Sequence, residues 1–355
     1  MSAHRDAQGP SAENAPESRV DAVVSPVSVV IASLDDRDLL RRHLPPLLAD
    51  LVRRNVGDEV IVVDDTGRGE LAAWLAEQYP TSASAADSVS PSITVRPIAR
   101  DANGGFARAM LTGVEAARHE LVFLMNPDVR VHAGFLEPLI AALADPLVHS
   151  AVPRLLLFGA AKRIESVTGV RLRHDVAEVD QPGLAGRAEA YEHGVLPVTY
   201  AVGGAALLRR SEFLAIGGFD PLYEPFYYED LDLGFAAWRA GRSVLYCADS
   251  VAEHHHRGTI RRRVDEKLVR AVIERNRYLF QWRFLDGEER LTRHLAALYR
   301  AALDAYLRED RDELVWLGLA LEQLEALRSS RARLGPAARS FDEVLKASAP
   351  HSGGG

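Results

Sequence analysis

The sequence predicts an α/β fold, in which a mainly parallel central sheet is flanked by helices and followed by a C-terminal helical extension. Two observations predict it. Short runs of consecutive apolar residues alternate with helical patterns over the first ~130 residues, as a parallel sheet with crossover helices requires. Three of the four apolar runs then end in acidic or Asn-rich turns. The carboxyl ends of parallel strands form the edge where such sheets bind ligands, so a binding site is expected there.

The composition is that of a globular protein. Of 355 residues, 47% are hydrophobic and 26% are charged. The net charge of -8 argues against a general nucleic-acid binder, which needs a basic surface. A single cysteine, Cys247, excludes an intramolecular disulfide and indicates a reducing compartment. No apolar run approaches the ~20 residues of a membrane span, and no signal-peptide pattern is found. We therefore expect a cytoplasmic enzyme, with peripheral contact at the inner face of the plasma membrane left open.

The elements of the first half follow from local patterns. Residues 1–25 are rich in Ser, Ala, Glu and Pro without a period, which predicts a disordered tail. Apolar runs predict four buried strands, and leucine or alanine spacing predicts the helices between them. The predicted strands are 27–32, 59–63, 93–98 and 121–125, the predicted helices are 39–51, 71–79 and 107–118, and 81–91 is a loop.

The fourth strand carries the first candidate site. Its five apolar residues, 121–125, run directly into Asn126, Pro127 and Asp128. Proline cannot donate to a strand ladder, so the strand ends there and holds the Asp128 carboxylate at its carboxyl end. We interpret Asp128 as the ligand of a divalent metal that binds a diphosphate. The alternative is that Asp128 only caps the following turn.

The turn after the first strand argues against two other nucleotide sites. Residues 32–36 lack the G-x-G-x-x-G pattern of dinucleotide-binding folds, and the chain has no G-x-x-x-x-G-K-[ST] sequence. This sheet instead meets its ligand with carboxylates, which repel phosphate unless a cation lies between them. The sequence therefore predicts a nucleotide bridged by a metal.

The second half has fewer regular patterns. A strand is predicted at 150–158, and 159–197 is rich in loops. Gly203 and Gly204 precede another apolar strand, where glycine lets the backbone approach a ligand closely; a β-bulge is the alternative. An acidic segment, 229–232, begins a helix that Gly241 closes, since glycine is common just after a helix end. A short strand, 243–247, then leads to the histidines at 254–256.

Taken together, these stretches resemble the family 2 inverting glycosyltransferases, which have the GT-A (nucleotide-diphospho-sugar transferase) fold. The rhamnosyltransferase-like branch of bacteria is the most similar. The stretches occur in the order typical of the family and cover about residues 27–260. They are 27–35, 59–65, 103–106, 124–128, 217–220, 228–232 and the histidines at 254–256.

The resemblance implies roles for residues on the donor side. Backbone groups at the end of the first strand would frame the base, and two aspartates would accept hydrogen bonds from the base or ribose. The implied donor-nucleotide residues are Ala32, Ser33, Leu34, Asp64, Asp65, Asn103, Gly105 and Asn126. Asp128 and His254 would bind Mg²⁺ or Mn²⁺, for which carboxylate and neutral imidazole are suitable ligands.

On the acceptor side, the resemblance implies that Asp230 is the catalytic base. The residues implied to surround the acceptor or the transferred sugar are Gly203, Gly204, Glu229 and Asp232. A carboxylate at a helix start is favoured by the helix dipole and can be oriented to accept a proton. Without the resemblance, the acids at 229–232 are also explained as ordinary first-turn helix charges.

Three departures from the family pattern affect the site. Asn126 stands where the first acid of the D-x-D signature is expected; its amide adds no charge, so metal affinity should be modest. Residues 32–35 replace the usual Pro-Thr-Tyr-Asn, which leaves base recognition open. His255 and His256 compete with His254 as metal ligands, although His254 fits the family spacing best.

The predicted domain organisation has two parts. A catalytic domain spans 26–260, and a helical extension spans 261–348 before a disordered end at 349–355. The arginines at 261–263 suit a phosphate but equally a solvated charge run. The aromatic and basic mixture at 277–285 is typical of an interfacial membrane helix or of packing against the catalytic domain.

The predicted function is transfer of a sugar, with rhamnose as one candidate, from a nucleotide-diphosphate donor to a hydroxyl of a glycan or lipid-linked acceptor. Cell-wall or polysaccharide biosynthesis would use such a reaction. A sugar-phosphate nucleotidyltransferase is an alternative, but it needs a Gly- and Arg/Lys-rich loop after the first strand, which this chain lacks. A catalytically inactive scaffold is the other alternative, which Asn126 keeps open. A homo-oligomer is also left open.

Overall fold

The structure, a computed structural model, describes residues 25–80, 93–185, 188–255 and 264–350. Several predictions concern residues outside this range. These residues are 1–24 and 351–355 of the predicted tails, the loop at 81–91, His256 and the arginines at 261–263. No helix in the described part of the chain is long and apolar enough to cross a membrane.

Strands and helices alternate over residues 27–125, most elements of residues 148–209 are strands, and every element of residues 266–347 is a helix. The strands are β1 Val27–Ser33, β2 Glu59–Asp64, β3 Thr94–Ala99, β4 Leu121–Met125, β5 Val129–Val131, β6 Val148–Leu157, β7 Ala160–Ile164, β8 Gly169–Arg173, β9 Val176–Asp180, β10 Val195–Pro197, β11 Ala205–Arg209 and β12 Ser243–His254. The helices are α1 Arg37–Arg54, α2 Glu70–Gln78, α3 Gly105–Ala116, α4 Leu136–Ala142, α5 Arg210–Ala215, α6 Glu229–Arg239, α7 Glu266–Phe284, α8 Glu288–Leu307, α9 Arg311–Leu321, α10 Leu324–Ala332 and α11 Phe341–Ala347. Among the described residues, 3₁₀ turns lie at Pro182–Ala185, Ala188–Tyr191 and Pro221–Tyr223.

The central sheet has the strand order β10-β12-β6-β11-β4-β1-β2-β3, with β5 paired to β12 and β7 paired to β6. Strands β3, β2, β1 and β4 are parallel, which confirms the predicted α/β class. Their carboxyl ends meet at one edge, where Ser33 pairs with Asp64 and Ile31 pairs with Met125. Strand β11 is antiparallel to β4 and begins opposite Met125 at Ala205, so Gly203 and Gly204 reach the same edge.

Strand β12 is longer than the predicted segment at 243–247. It continues past a register irregularity between Cys247 and Val251 and ends at His254. The polar residues in that irregularity hid the continuation, because they interrupt the apolar run. The buried hydroxyl of Ser250 donates to the carbonyl of Phe135 at 2.6 Å, which satisfies it inside the sheet. The result is that His254 pairs in register with Val129, the residue after Asp128.

The prediction that 159–197 is rich in loops missed several strands. This stretch contains β7 to β10, and β8 and β9 form a two-stranded hairpin. Its two-residue turn is His174 and Asp175, with φ angles of 50° and 62°. Two-residue hairpin turns of this left-handed kind usually contain glycine or asparagine. Neither is present here, and the turn signal is limited to Asp175, since aspartate also tolerates positive φ.

Helices cover both faces of the parallel strands. One face buries Val29 and Ile31 against leucines of α1 and α4, and the other buries Val30 against Met110 and Val114 of α3. A third apolar cluster joins α6 to the C-terminal helices: the Phe235 ring lies 5.1 Å from that of Phe280, 4.8 Å from that of Phe284 and 5.2 Å from that of Phe341. The aromatic stretch at 277–285 thus packs against the body of the protein.

Candidate active site

Asp128 and His254 form a buried pair at the edge of the sheet. Asp128 lies between β4 and β5, and His254 is the last residue of β12. The Nε2 atom of His254 is 3.2 Å from Oδ1 of Asp128, and both residues are 8% exposed. The backbone N–H of His255 donates to the Asp128 carbonyl at 2.8 Å. Pairing of β5 with β12 therefore holds the carboxylate and the imidazole together.

Glu165, which the sequence analysis did not single out, holds the other side of this histidine. Its Oε2 lies 2.6 Å from Nδ1 of His254, and it is also buried. Burial opposes charge on the His254 ring, but the carboxylates of Asp128 and Glu165 outweigh it and raise the pKa to about 9. The ring is thus oriented by one carboxylate and presents Nε2 to the other.

The donor atoms of this pair fit a divalent cation. Two adjacent ligands of an octahedral ion with bonds of about 2.1 Å lie about 3 Å apart, close to the 3.2 Å between Nε2 and Oδ1. A histidine that binds a metal through one nitrogen commonly gives the other to a carboxylate, as His254 gives Nδ1 to Glu165. Within the described residues no group of three or more His, Cys, Asp or Glu side chains is arranged around a metal position. A cation held by these two side chains would keep further coordination positions for other ligands.

Asn126 connects this pair to strand β11. Its backbone N–H donates to the Gly204 carbonyl at 2.8 Å. A Cβ atom on Gly204 would lie 2.3 Å from Nδ2 of Asn126, so only glycine permits the amide to pack this closely. The neighbouring Gly203 donates its N–H to Oδ2 of Asp230 at 3.1 Å. The two glycines therefore link the loop that carries Asp128 to the start of α6.

Glu229 and Asp230 begin helix α6 beside these glycines. Asp230 accepts hydrogen bonds from the N–H groups of Gly203 and, at 2.8 Å, of Leu231. Burial raises the pKa of Asp230. Burial, with the negative charge of Asp230 next to it, raises the pKa of Glu229 to about 8. Oε2 of Glu229 has no hydrogen-bond partner among the described residues. Two carboxyl groups of raised proton affinity thus lie at one helix start.

The nucleotide-side residues lie along the same edge. The Asp65 carboxylate accepts hydrogen bonds from the N–H groups of Gly104 and Gly105 and from Arg100, and its own N–H donates to the Ser33 carbonyl. A Cβ atom on Gly105 would lie 3.5 Å from the carbonyl oxygen of Pro225, in the segment before α6. Asp65 is thus bonded to the turn before α3, and that turn lies close to the segment that precedes α6.

The profile of the family described as "Glycosyl transferase family 2" matches residues 28–211, which is more than half of the chain. The chain belongs to this family. The matched region includes Asp128 and ends before Asp230 and His254. Membership removes the support for a nucleotidyltransferase, and the residues beyond the match are connected to it through the contacts described above.

Two curated mycobacterial relatives of this family 2 glycosyltransferase are informative. A "Pre-mycofactocin glycosyltransferase" of Mycobacterium tuberculosis is 27% identical over 161 residues, which are 44% of this chain and 31% of that protein. An "N-acetylglucosaminyl-diphospho-decaprenol L-rhamnosyltransferase" of the same organism is 30% identical over 146 residues, which are 38% of this chain and 46% of that protein. The chain thus matches less than half the length of either relative.

A solved structure confirms the fold of the glycosyltransferase. The crystal structure of GalNAc-T7 with UDP, GalNAc and Mn²⁺ superimposes with a TM-score of 0.56 over 75% of this chain and 49% of that one, at 14% sequence identity. At that identity the likeness concerns the fold alone. It agrees with the GT-A fold that the sequence motifs predicted.

The carboxylates of two predicted site residues, Asp64 and Asp232, make contacts within the fold of the glycosyltransferase. Both carboxylate oxygens of the fully buried Asp64 accept hydrogen bonds from backbone N–H groups, of Thr66 and Ala72. Asp232 accepts a hydrogen bond from the Tyr223 hydroxyl at 2.6 Å and lies 2.9 Å from Nε of Arg283. Burial raises the pKa of Asp232 to about 6 against the lowering effect of that guanidinium. We propose structural support as the role of these two residues.

The other residues predicted for the donor lie at the end of β1, in the turn that follows it and in the turn before α3. Ala32 and Ser33 end β1, and the N–H of the following Leu34 donates to the Asp36 carboxylate at 3.2 Å. Asn103 accepts a hydrogen bond from the N–H of Gly105 at 3.0 Å. These contacts shape the two turns, whose edges lie beside Asp65.

Proposed function

We propose that this family 2 glycosyltransferase is an inverting, metal-dependent enzyme. It moves a sugar from a nucleoside diphosphate to a hydroxyl of a glycan or lipid-linked acceptor. One observation carries the proposal: the Asp128–His254 pair and the Asp230 carboxylate are connected through Asn126, Gly204 and Gly203. This row offers a place for a diphosphate at one end and for an attacking hydroxyl at the other.

The donor side would rest on Asp128 and His254. When bound there, Mg²⁺ or Mn²⁺ supplies positive charge that stabilises the departing diphosphate. Asp128 brings the one full negative charge of the D-x-D position, since Asn126 is neutral. Glu165 keeps the imidazole in the orientation that presents Nε2. Asp65 and the turns at Leu34 and Asn103 would form the nucleoside side.

The acceptor side would rest on Asp230. A bond forms between the acceptor oxygen and the anomeric carbon, on the face opposite the breaking bond to the diphosphate oxygen. The diphosphate leaves with the electron pair, and the hydroxyl proton passes to Asp230. N–H groups of Gly203 and Leu231 fix the carboxylate, and its raised pKa makes it a stronger base than an exposed aspartate.

Rhamnose is the donor sugar that the sequence resemblance and the mycobacterial relative support. That relative is named as an L-rhamnosyltransferase acting on a diphospho-decaprenol acceptor. The same two observations support a cell-envelope acceptor with a lipid diphosphate. A deoxythymidine-diphosphate sugar is therefore the first donor to test, followed by uridine and guanosine diphosphate sugars.

An Asp230→Asn substitution tests the assignment of the base. The variant should bind nucleotide-sugar and Mn²⁺ as the natural protein does, measured by thermal shift. Its transfer rate should fall by about 10²–10⁴-fold, the usual contribution of a positioned base. Asp38→Asn, at a side chain that is 85% exposed, is the matched control and should retain both properties. Equal loss of donor binding and transfer in Asp230→Asn contradicts the assignment.

A further inference from the structure

The segment before α6 has an unusual backbone. Tyr227 and Tyr228 are consecutive and have φ angles of 67° and 81°. Side chains with a Cβ atom rarely adopt these angles, and such conformations persist only where the surrounding structure enforces them. Glu229 and Asp230 follow at once. The contacts that hold this segment in its conformation therefore also fix the position of Asp230, the proposed base.

Asn276 of helix α7 provides that enforcement. Its side chain is fully buried, and its Nδ2 atom lies 3.0 Å from the Tyr223 carbonyl, 3.1 Å from that of Phe226 and 2.9 Å from that of Tyr227. Three carbonyl oxygens accept from the two N–H bonds of one amide group. The group facing them must be the NH₂ end, because the amide oxygen would repel all three.

Arg275 fixes the other end of the same amide. Its Nε and Nη2 atoms donate to Oδ1 of Asn276 at 2.9 and 2.7 Å, and Nη2 donates to the Glu224 carbonyl at 2.6 Å. The guanidinium therefore prevents the amide from turning over and holds one more carbonyl of the segment. Together the two residues hold four of the six carbonyls between Tyr223 and Tyr228.

We propose that Asn276, oriented by Arg275, is a positioning residue for sugar transfer, through which the C-terminal helices set the acceptor half of the active site. Asn276 touches no reacting atom; it holds the segment Tyr223–Tyr228 so that α6 starts with Asp230 against Gly203. The inference rests on the proposed function, because it assigns Asp230 to the acceptor. On this inference, the C-terminal helices contribute to catalysis by holding the segment that positions Asp230.

Gln281 is a matched control on the same helix. It is also fully buried and also holds a backbone segment with both ends of its amide. Its Oε1 accepts from the Ala177 N–H at 2.9 Å, and its Nε2 donates to the Asp175 carbonyl at 2.8 Å. That segment belongs to the β8–β9 hairpin rather than to the α6 start. A change in Gln281 thus removes an equivalent buried contact away from the proposed base.

The test compares Asn276→Asp with Gln281→Glu. Asn276→Asp turns an oxygen toward three carbonyl oxygens, and Gln281→Glu turns one toward the Asp175 carbonyl. Amide hydrogen exchange should accelerate across 223–232 in Asn276→Asp and across 175–180 in Gln281→Glu. Thermal shifts with Mn²⁺ and dTDP, UDP or GDP should match those of the natural protein in both variants. Asn276→Ser, which keeps one donor, replaces Asn276→Asp if the latter does not fold.

The rate of sugar transfer to p-nitrophenyl glycosides distinguishes positioning of the base from a merely structural role, which would leave kcat per folded molecule unchanged. In Asn276→Asp we expect kcat with saturating donor to fall by about 10²-fold and the donor KM to stay unchanged. Gln281→Glu should keep kcat per folded molecule. An equal loss of kcat in both variants overturns the proposal. Unchanged hydrogen exchange across 223–232 in Asn276→Asp also overturns it. If the natural protein turns over no nucleotide-sugar, the proposed function fails, while the exchange data still decide whether Asn276 holds the segment.

Discussion

The Nε2 atom of His254 lies 3.2 Å from Oδ1 of Asp128, and Nδ1 of the same ring lies 2.6 Å from Oε2 of Glu165. These three residues come from the β4–β5 junction, the segment after β7 and the end of β12. The central sheet brings them together although the chain separates them widely. A carboxylate that orients an imidazole toward a second carboxylate is an arrangement suited to a divalent cation.

Substitution of Glu165 by Gln should weaken metal binding without unfolding the protein. The amide keeps the size of the side chain but no longer fixes the orientation and basicity of the His254 ring. Loss of such a supporting carboxylate typically lowers metal affinity by about 10–100-fold. Calorimetric titration of Mn²⁺ into the protein saturated with nucleoside diphosphate measures the change.

Glu253→Gln is the control for that titration, because Glu253 contacts His132 and His255 instead, at 3.3 and 3.5 Å. Its Mn²⁺ affinity should remain at the natural value. If Glu253→Gln weakens Mn²⁺ binding and Glu165→Gln does not, His255 rather than His254 is the ligand.

The stability of the protein should depend on the protonation of Glu229. Its folded pKa of about 8 lies above the ordinary value of 4.5, so the folded state keeps a proton that the unfolded chain has lost. The stabilising contribution is therefore complete below pH 4.5 and is lost as the pH rises to 8, at no more than about 1.4 kcal/mol per pH unit. Chemical denaturation in EDTA across this range measures it.

In that experiment Glu229→Gln should flatten the fall in the free energy of unfolding and make the protein more stable than the natural one at pH 8. Glu322→Gln, at an exposed glutamate, should follow the natural curve. A Glu229→Gln curve that falls as steeply as the natural one shows that another group is responsible.

Arg283 should be important for stability because it neutralises two buried acids. Its guanidinium contacts Asp220 and lies 2.9 Å from Asp232, and all three side chains are at most 7% exposed. Removing one partner of such a buried pair typically costs about 3–5 kcal/mol. Here Asp232 would lose its contacting guanidinium, whereas Asp220 would keep that of Arg333. Arg283→Met should show a loss of this size in urea unfolding.

Arg328→Met is the matched control, since Arg328 and its partner Glu325 are each 83% exposed. Its free energy of unfolding should change by no more than about 0.5 kcal/mol. A loss below about 1 kcal/mol in Arg283→Met contradicts the role given to this buried network.

Three of the parallel strands, β1, β2 and β4, were predictable because they are mainly apolar runs with a polar end. Leu121–Met125 was located to the residue, and β1 and β2 to within one residue. Asp128 could be predicted as a candidate site residue for the same reason. The end of a strand is a local feature of the sequence, and Pro127 marks it. The motifs of the family then pointed to Asp230 and His254, which stay proposals.

What the sequence did not reveal depends on contacts between distant segments. Glu165 is a lone acid in a stretch without a pattern, and only the pairing of β6 with β7 and β12 brings it to His254. Asn276 lies inside a helix that is predicted from the spacing of its apolar residues. A single polar residue in that pattern does not indicate which backbone segment it will contact. Asp232 follows Asp230 by two positions. Side chains two positions apart on a helix point to nearly opposite sides, so Asp232 contacts Arg283 rather than Gly203.

The most direct test of the metal-bridged donor site is release of nucleoside diphosphate from nucleotide-sugars. The natural protein should release it with Mn²⁺ or Mg²⁺ and stop when EDTA is added. Asp128→Ala should release none above background, while Asp38→Ala, at an exposed aspartate, should match the natural rate. Release that persists in EDTA and in Asp128→Ala at the natural rate would contradict the central claim, that Asp128 holds the donor through a divalent cation.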